Sequence, residues 1–223
     1  MSTLKLDNFE MKGNSMAAGF WGKKIGMTQT FTEDKAVPVT VINASDWFVT
    51  QVKSNEKDGY EAVQLGCLKE KFVPNYDKQK FINEWIKKPQ QYFSILKEIR
   101  TSSEGAQVGE PFSWGSLIKP GEYVDVFGKT IGKGFAGAVK RYGFRGGRGS
   151  HGSKLGRKPG SMGSYRSQGR VIKGKKLAGH MGTKQRVVRS LEVVKVDPDT
   201  NIILVKGSVP GKSGSLLFIR KQG

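Results

Sequence analysis

The sequence predicts a mainly β protein, a small barrel or sandwich that carries one long basic loop. Short runs with strand-like alternation occur on both sides of this loop, and turn-forming clusters of Gly, Pro, Asn and Asp separate them. The loop, residues 126–191, contains seventeen Lys and Arg residues and no Asp or Glu. It also holds about half of the 30 glycines. These three observations predict a β body with a basic, glycine-rich loop.

Four strands are predicted before the loop, each a short run rich in β-branched and aromatic residues. In the first of them, Val37, Val39 and Val41 alternate onto one face. Pro38 has no backbone donor, which indicates an edge position or a bulge. A polar cluster at 55–59 predicts a turn after the second strand. The four strands are residues 36–42, 48–54, 62–67 and 122–127.

The segment near 68–105 differs from its surroundings, and we interpret it as an α/β insert in the β body. Apolar residues at helical spacing predict a short helix over 77–88 that ends before a proline. Residues 92–100 are apolar enough for either a strand or a helix. Trp85 and Phe93 are expected in the core rather than as stacking platforms for bases.

The strands after the loop are expected to complete the barrel with residues 192–223. Residues 191–196 and 202–205 flank an Asp-Pro-Asp-Thr-Asn turn, which is a hairpin signal. A last strand is predicted at 215–220, after a glycine-rich loop. The β body is therefore expected to begin at residue 16, to run to 125 and to resume after the basic loop.

Composition limits the cellular context of the chain. Cys67 is the single cysteine, so no intrachain disulfide forms and a reducing compartment is expected. No apolar run approaches the roughly 18 residues of a membrane-spanning helix. Residues 1–15 lack the apolar core of a signal peptide, and they contain Asp7 and Glu10 but no Arg, unlike an organelle transit peptide. We expect these residues to be a flexible extension and the protein to be cytoplasmic, without a membrane or homo-oligomeric partner.

No motif indicates catalysis or a cofactor. The run Gly-Lys-Thr-Ile-Gly-Lys-Gly at 128–134 has the wrong spacing for a nucleotide-binding phosphate loop and lacks the final Ser or Thr. His151 and His180 are the only histidines, and with Cys67 they do not show metal-ligand spacing. Both histidines lie in the acid-free loop, where no carboxylate can orient them for nucleophilic catalysis. We expect a protein that is not an enzyme and binds no cofactor or metal.

Almost all of the net charge of +19 lies in the loop. Residues 1–125 carry sixteen basic and sixteen acidic side chains, and residues 192–223 add a net charge of two. The loop has too few large apolar side chains to offset the conformational entropy of ordering it. We therefore expect it to be mobile alone and ordered by a surrounding polyanion, RNA or DNA.

Two alternatives to this interpretation fit the charge pattern less well. A solvated charge run usually mixes both signs and lacks interleaved aromatic residues. A free-standing RNA chaperone or nonspecific nucleic-acid-binding protein would spread its cations over a face or a tail, whereas here one loop on a neutral body carries them.

Aromatic residues are interleaved with the cations. Phe135, Val139 and Tyr142 are spaced as in one helical turn, and either a small satellite core or base stacking explains their rings. Tyr165, beside Arg166 and among glycines, is the better stacking candidate, and the Pro-Gly pair at 159–160 can reverse the chain. The predicted RNA-binding residues are Lys129, Lys133, Lys140, Arg141, Phe144, Arg145, Arg148, His151, Lys154, Arg157, Lys158, Tyr165, Arg166, Arg170, Lys173, Lys175, Lys176, His180, Lys184 and Arg186.

Eleven short motifs, in order from Ala17 to Arg220, carry a specific resemblance. In the body they are GKKIGMT at 22–28, FTED at 31–34, VTQVK at 49–53, DGY at 58–60, LVKG at 204–207 and VPG at 209–211. In the loop they are GKGFAG at 132–137, VKR at 139–141, HG at 151–152, PGS at 159–161 and GKKLAG at 174–179. Through these motifs the chain resembles the bacterial-type ribosomal large-subunit protein L-three family.

The resemblance implies a six-stranded barrel of the kind shared with translation factors, an inserted α/β segment and a long loop that enters ribosomal RNA. It further implies a structural constituent of the ribosome that binds large-subunit rRNA early in assembly, beside neighbouring ribosomal proteins, with the loop tip near the peptidyl-transferase centre. Some bacterial members carry a methylated glutamine near this tip. Arg166 stands at the matching position and cannot receive that modification.

Overall fold

Six antiparallel strands close into a barrel in a computed structural model that describes residues 19–32, 35–101, 106–164, 166 and 169–222. Strands are numbered in chain order, including those outside the barrel. The barrel strands are β1 (Gly19–Thr32), β2 (Lys35–Asn43), β6 (Tyr123–Lys129), β9 (Gln185–Asp197), β10 (Ile202–Lys206) and β11 (Leu216–Lys221). Around the barrel their order is β1-β11-β6-β9-β10-β2. The prediction of a mainly β protein is confirmed, and the alternative of a sandwich is excluded.

The barrel interior is filled by side chains that alternate along its strands. Val124 and Val126 of β6 are completely buried, as are Leu217 and Ile219 of β11. Each pair is two residues apart because successive side chains of a strand point to opposite faces. Removing an aliphatic side chain of this size from water contributes about 1.5–3 kcal/mol.

Strand β2 forms where alternation predicts it. Val39 is completely buried, while Val37 and Val41 are half-buried. The register of β2 with β10 runs from Val39 to Asn43, and the Pro38 carbonyl accepts one further hydrogen bond from the Gly207 N–H at 2.9 Å. The missing donor of Pro38 therefore lies where the pairing with β10 ends, while β2 continues beyond it against β1, close to the predicted edge position.

A separate three-stranded sheet has the order β3-β4-β5. Its strands are β3 (Trp47–Lys53), β4 (Ala62–Leu68) and β5 (Phe93–Ile99), and the turn after β3 is the helical turn α1 (Asn55–Asp58). The predicted insert near 68–105 is thus too short, because β3 and β4 also lie outside the barrel. Their sequences resemble those of barrel strands, and only the non-local pairing partner decides which sheet a strand joins.

The helix predicted over 77–88 forms in two parts, α2 (Lys78–Lys80) and a π-helical turn at Phe81–Trp85. The side chain of Asp77 caps α2 by accepting a hydrogen bond from the Gln79 backbone N–H at 2.9 Å. The following proline does not simply end the helix. It begins α3 (Pro89–Tyr92), since the first position of a helix tolerates a missing N–H.

The ambiguous segment 92–100 is a strand, β5. Trp85 and Phe93 are both buried, which confirms that they are core residues. They belong to one aromatic cluster with Phe48 and Phe81. Among the described residues, no helix is long and apolar enough to cross a membrane.

The hairpin predicted after the basic loop forms from β9 and β10, although β9 begins earlier than the predicted residue 191. The last predicted strand is β11. The proposed flexible extension, residues 1–15, lies outside the described residues. By compactness the chain divides into two units, one comprising residues up to Gly128 and from Arg186 on, the other comprising Lys129–Gln185. We call the latter the basic unit.

Candidate nucleic-acid interface

The two arms of the basic unit are joined by backbone hydrogen bonds near its first and last residues. The Thr130 N–H donates to the Lys184 carbonyl at 2.9 Å, and the Thr183 N–H donates to the Thr130 carbonyl at 3.1 Å. The Thr130 hydroxyl also lies 3.2 Å from the Lys184 carbonyl. This end of the unit is therefore ordered by main-chain pairing between residues far apart in sequence.

Pairing continues along both arms to a short two-stranded ladder. The Lys133 N–H donates to the Met181 carbonyl and the Met181 N–H to the Gly134 carbonyl, both at 2.9 Å. The ladder itself consists of β7 (Phe135–Ala136) and β8 (Gly179–His180). We call the paired residues 130–136 and 179–184 the stalk. It has regular structure without a large apolar core.

Near Gly132 and Gly182 the two backbones of the stalk approach each other too closely to leave room for a side chain. Gly182 has a φ of 80°, and a Cβ there would lie 2.1 Å from the Ile131 carbonyl oxygen. A Cβ at Gly132 would lie 2.8 Å from the Thr183 hydroxyl. Glycine is required at 182 for both reasons, positive φ and contact.

The helical turn predicted from Phe135, Val139 and Tyr142 forms only in part. Val139 and Tyr142 lie in α4 (Ala138–Tyr142), but Phe135 precedes it in β7. Gly137 separates the two elements because its backbone is extended, with φ of −68° and ψ of 165°. The three side chains therefore do not share one helical face, and that prediction was wrong for Phe135.

The described aromatic rings of the basic unit, those of Phe135, Tyr142 and Phe144, do not form the satellite core that the spacing left open. Ala136 and Ala138 are buried, whereas Phe135 is 80% exposed and Tyr142 is 40% exposed. The ring of Phe144 is half-buried and lies 6.1 Å from that of Tyr142. Phe135 thus presents almost its whole ring at the surface of the basic unit.

Arg141 binds the opposite arm of its own unit. Its Nη1 donates to the Leu177 carbonyl at 2.7 Å, and its guanidinium lies 5.0 Å from the centre of the Tyr142 ring. A Cβ at Gly179 would lie 2.8 Å from Nη1, so the guanidinium covers the β8 backbone. Arg141 is consequently a structural cation as well as a predicted RNA contact.

A second close approach lies farther along the chain. The Gly147 N–H donates to the Gly156 carbonyl at 2.6 Å. Gly146 has a φ of 73°, and a Cβ there would be 2.6 Å from the same carbonyl oxygen. Gly160 has a φ of 87°, a conformation that suits the predicted Pro-Gly turn.

Most predicted RNA-binding side chains are exposed. Arg141 and Phe144 are half-buried, and Tyr165 lies outside the described residues. The exposed residues are Lys129, Lys133, Lys140, Arg145, Arg148, His151, Lys154, Arg157, Lys158, Arg166, Arg170, Lys173, Lys175, Lys176, His180, Lys184 and Arg186.

Several charged side chains outside the basic unit form ion pairs, among them Asp125 with Arg220 and Glu122 with Lys221. Burial raises the pKa of Asp125, but hydrogen bonds from Arg220 at 2.8 Å and from the Ser190 N–H at 3.2 Å lower it, and the net pKa is below the usual range. A hydrogen bond from Lys221 lowers the pKa of Glu122. The basic unit contains no carboxylate side chain, so its cations cannot form ion pairs within it.

Two features escaped prediction from sequence. Lys24 is half-buried, and its Nζ donates to the carbonyls of Val209 at 3.1 Å and Gly211 at 2.9 Å. The second is the exposure of Phe135 beside the buried Ala136. A two-residue alternation in Gly-Phe-Ala-Gly is the only signal for it, and this run is too short to indicate a strand by itself.

The described part of the chain contains no group of three or more His, Cys, Asp or Glu side chains able to hold a metal ion. His151 and His180 are exposed, while Cys67 is completely buried in β4. The geometry here offers exposed cations, backbone amides and aromatic rings. Such a set can neutralise and position phosphates and stack on bases.

Comparison with known proteins identifies the family. The family model for ribosomal protein L3 matches residues 94–201. The chain is 44% identical over 217 residues to the large ribosomal subunit protein uL3 of Syntrophus aciditrophicus, an alignment that covers 96% of this chain and 98% of the relative. It is 46% identical to uL3 of Pelotomaculum thermopropionicum, covering 92% and 97% of the two chains. For uL3 of Carboxydothermus hydrogenoformans the identity is 47%, with 92% and 98% covered.

The alignments extend over nearly the whole chain, so they include both the barrel strands and the basic unit. At more than 40% identity over such lengths, relationship rests on the full sequence and not on a shared basic composition. The chain belongs to the ribosomal protein L3 family.

Proposed function

We propose that this chain is a structural constituent of the large ribosomal subunit and that its basic unit binds large-subunit rRNA. One observation carries the proposal: cations without any internal carboxylate are exposed along the basic unit. Polyanionic phosphate is the partner that such a surface selects, and the relatives named above are large-subunit proteins. Membership of a ribosomal protein family confirms the expectation that the chain is not an enzyme.

The finer steps of the proposal concern when and where the protein binds. The basic unit enters folded rRNA, the protein joins the subunit early in assembly, and the loop tip near Arg166 approaches the peptidyl-transferase centre. Neighbouring ribosomal proteins are further partners, and the site of action is the cytoplasmic ribosome. The backbone contacts of the stalk support this role because they hold two cationic arms together with no acidic side chain between them.

Sedimentation of cell lysate through a sucrose gradient tests subunit membership. We expect the protein to migrate with the large subunit and to remain there through a high-salt wash. A variant with the basic unit, residues 129–185, replaced by a Gly-Ser linker should leave that fraction. Recovery of the intact protein at the top of the gradient after the wash would favour a free-standing RNA chaperone.

Titration with salt tests whether cations dominate the contact. If the basic unit neutralises about 6–10 phosphates, its affinity for cognate rRNA should fall by about 10³–10⁵ between 50 and 200 mM salt. The slope should decrease when exposed Arg145 and Arg148 are both replaced by Gln. An affinity that hardly responds to salt would refute the electrostatic basis of binding.

Substitution of Arg166 tests the placement of the loop tip. A guanidinium can hydrogen-bond in two directions and stack on a base, whereas lysine is a point charge and glutamate repels phosphate. Arg166→Lys should therefore be milder than Arg166→Glu. We expect both to alter peptide-bond formation or drug sensitivity more than subunit occupancy measured by mass spectrometry. Wild-type transfer and antibiotic response in fully occupied Arg166→Glu subunits would contradict this placement.

A further inference from the structure

The β7–β8 ladder has two faces of opposite character. Ala136 pairs with Gly179 on one face, where Ala136 is buried and the guanidinium of Arg141 covers Gly179. On the other face Phe135 pairs directly with His180, and both side chains are exposed. Directly paired residues of an antiparallel ladder have Cβ atoms about 4.5–5.5 Å apart, so the two side chains leave the ladder side by side.

The surface around these rings is open. A Cβ at Gly134 or at Gly137, the glycines that bracket β7, would meet no atom within 4 Å among the described neighbours. An exposed phenylalanine gains nothing from burial in the folded chain itself. The exposed rings of Phe135 and His180 therefore offer a binding surface for a planar ring of a partner.

The charges beside the rings indicate the chemical class of the planar ligand. Exposed Lys133 is two residues from Phe135 along the same arm, with only Gly134 between them, so its long side chain can reach a phosphate beside the Phe135 ring. No carboxylate lies anywhere in the basic unit to repel a phosphate. A planar ring attached to a phosphate backbone is a nucleotide, and an unpaired base is free to leave its stack and bind an aromatic side chain.

We propose that Phe135 and His180 form a stacking platform for an unpaired nucleobase, with Lys133 neutralising an adjacent phosphate. This site rests on the proposed function, RNA binding by the basic unit, and adds a preference for single-stranded over duplex nucleotides at the stalk. Base stacking on an aromatic side chain tolerates any sequence, because every base has a π face.

Fluorescence anisotropy of the full-length protein with three labelled RNAs tests the platform. The RNAs are a single strand of about twelve nucleotides without self-pairing, the same strand with every base removed, and the corresponding duplex. Phe135→Leu should weaken binding of the single strand by about 5- to 150-fold and leave binding of the abasic strand unchanged. Phe135→Trp, which widens the platform, should retain the preference for the single strand.

Two control variants separate stacking from charge and from general exposure. Lys133→Gln should weaken binding of all three RNAs by a similar factor, since it removes a phosphate contact. Phe31 is 75% exposed on β1, outside the basic unit, and Phe31→Leu should change none of the affinities. Protection of the Met181 N–H in amide exchange verifies that each Phe135 variant keeps the stalk.

The outcomes distinguish the two levels of the proposal. Suppose that the wild type binds the single strand but Phe135→Leu binds it with the same affinity, or loses affinity for the abasic strand by the same factor. Either result refutes the platform, while RNA binding by the basic unit stands. If Phe135→Leu weakens binding to ribosomal proteins but not to RNA, this face binds a protein partner and the platform is refuted as well. If the wild type binds none of the three RNAs, the proposed function itself fails.

Discussion

Replacing Arg220 should destabilise the barrel more than replacing its partner Asp125, although the two side chains form one ion pair. The Asp125 side chain is 7% exposed, and that of Arg220 is 38% exposed. Without Arg220, a buried carboxylate is left with the Ser190 N–H at 3.2 Å. Without Asp125, the guanidinium can bind water instead. Leaving the buried member of an ion pair uncompensated is the costly change.

The magnitude follows from the contacts that each variant loses. Arg220→Met removes a hydrogen bond of 2.8 Å to the carboxylate. Hydrogen bonds to charged groups contribute about 1.5–3 kcal/mol, so we expect the free energy of unfolding to fall by about 2–3 kcal/mol. For a chain of this length that corresponds to about 4–12 °C in Tm. Asp125→Asn keeps an acceptor for the guanidinium and should cost about 1 kcal/mol.

Calorimetry of the two single variants and the double variant measures this asymmetry. The double variant Asp125→Asn with Arg220→Met should be more stable than Arg220→Met alone, because the unpaired buried charge is gone. Equal losses for the two single variants, or a double variant whose loss equals their sum, would refute the reasoning.

The pH dependence supplies an independent check on the same pair. The pKa of Asp125 in the folded state is below its usual range. Its contribution to stability is therefore present above the unfolded-state pKa, about 4, and is lost as the pH falls through the folded-state pKa. The stability difference between the wild type and Arg220→Met should be largest near neutral pH and should shrink below about pH 4. A difference that does not change with pH would show that the charge of Asp125 is not involved.

Three further predictions concern other contacts. Gly182→Ala places a Cβ at positive φ and against the opposite backbone, so it should abolish amide-exchange protection at Met181. Gly134→Ala is also at positive φ but in open space, so it should lower the free energy of unfolding by about 1–2 kcal/mol and keep that protection. Equal effects of the two variants would contradict the importance of the close approach. Lys24→Met loses the hydrogen bonds to two carbonyl groups, so the free energy of unfolding should fall by about 1–2 kcal/mol in thermal denaturation. An unchanged Tm would show that these hydrogen bonds are not needed for stability. Replacement of the basic unit, residues 129–185, by a Gly-Ser linker should leave a body that unfolds cooperatively by circular dichroism, and an unfolded product would make the loop part of the core.

The strands were predictable where an apolar run follows a clear turn signal. The strand predicted at 215–220 lies within one residue of β11, since the run from Leu216 to Ile219 follows a glycine-rich loop. Which sheet a strand joins was not predictable. Trp47–Lys53 has the apolar pattern of a barrel strand, yet it pairs with β4 in the separate sheet.

In the basic unit, exposure of the cations followed from composition, because an acid-free and apolar-poor segment has little with which to bury them. The orientation of individual side chains did not follow. Arg141 contacts Leu177, thirty-six residues away, and Phe135 faces outward because Gly137 separates it from α4. The Arg141 contact and the orientation of Phe135 both depend on how the two arms pair. The local sequence of either arm does not predict this pairing.

Closure of the barrel has a consequence for the order of events during protein synthesis. β11 lies between β1 and β6, with Gly19 opposite Arg220 and Gly128 opposite Leu217. The ring of strands is therefore incomplete until residues near 220 have left the ribosome that makes them. Until then β1 and β6 each expose an unpaired edge, and contacts of such sequence separation form slowly. The nascent chain thus displays its polycationic segment before it has a finished barrel, and premature capture by RNA competes with folding during that interval.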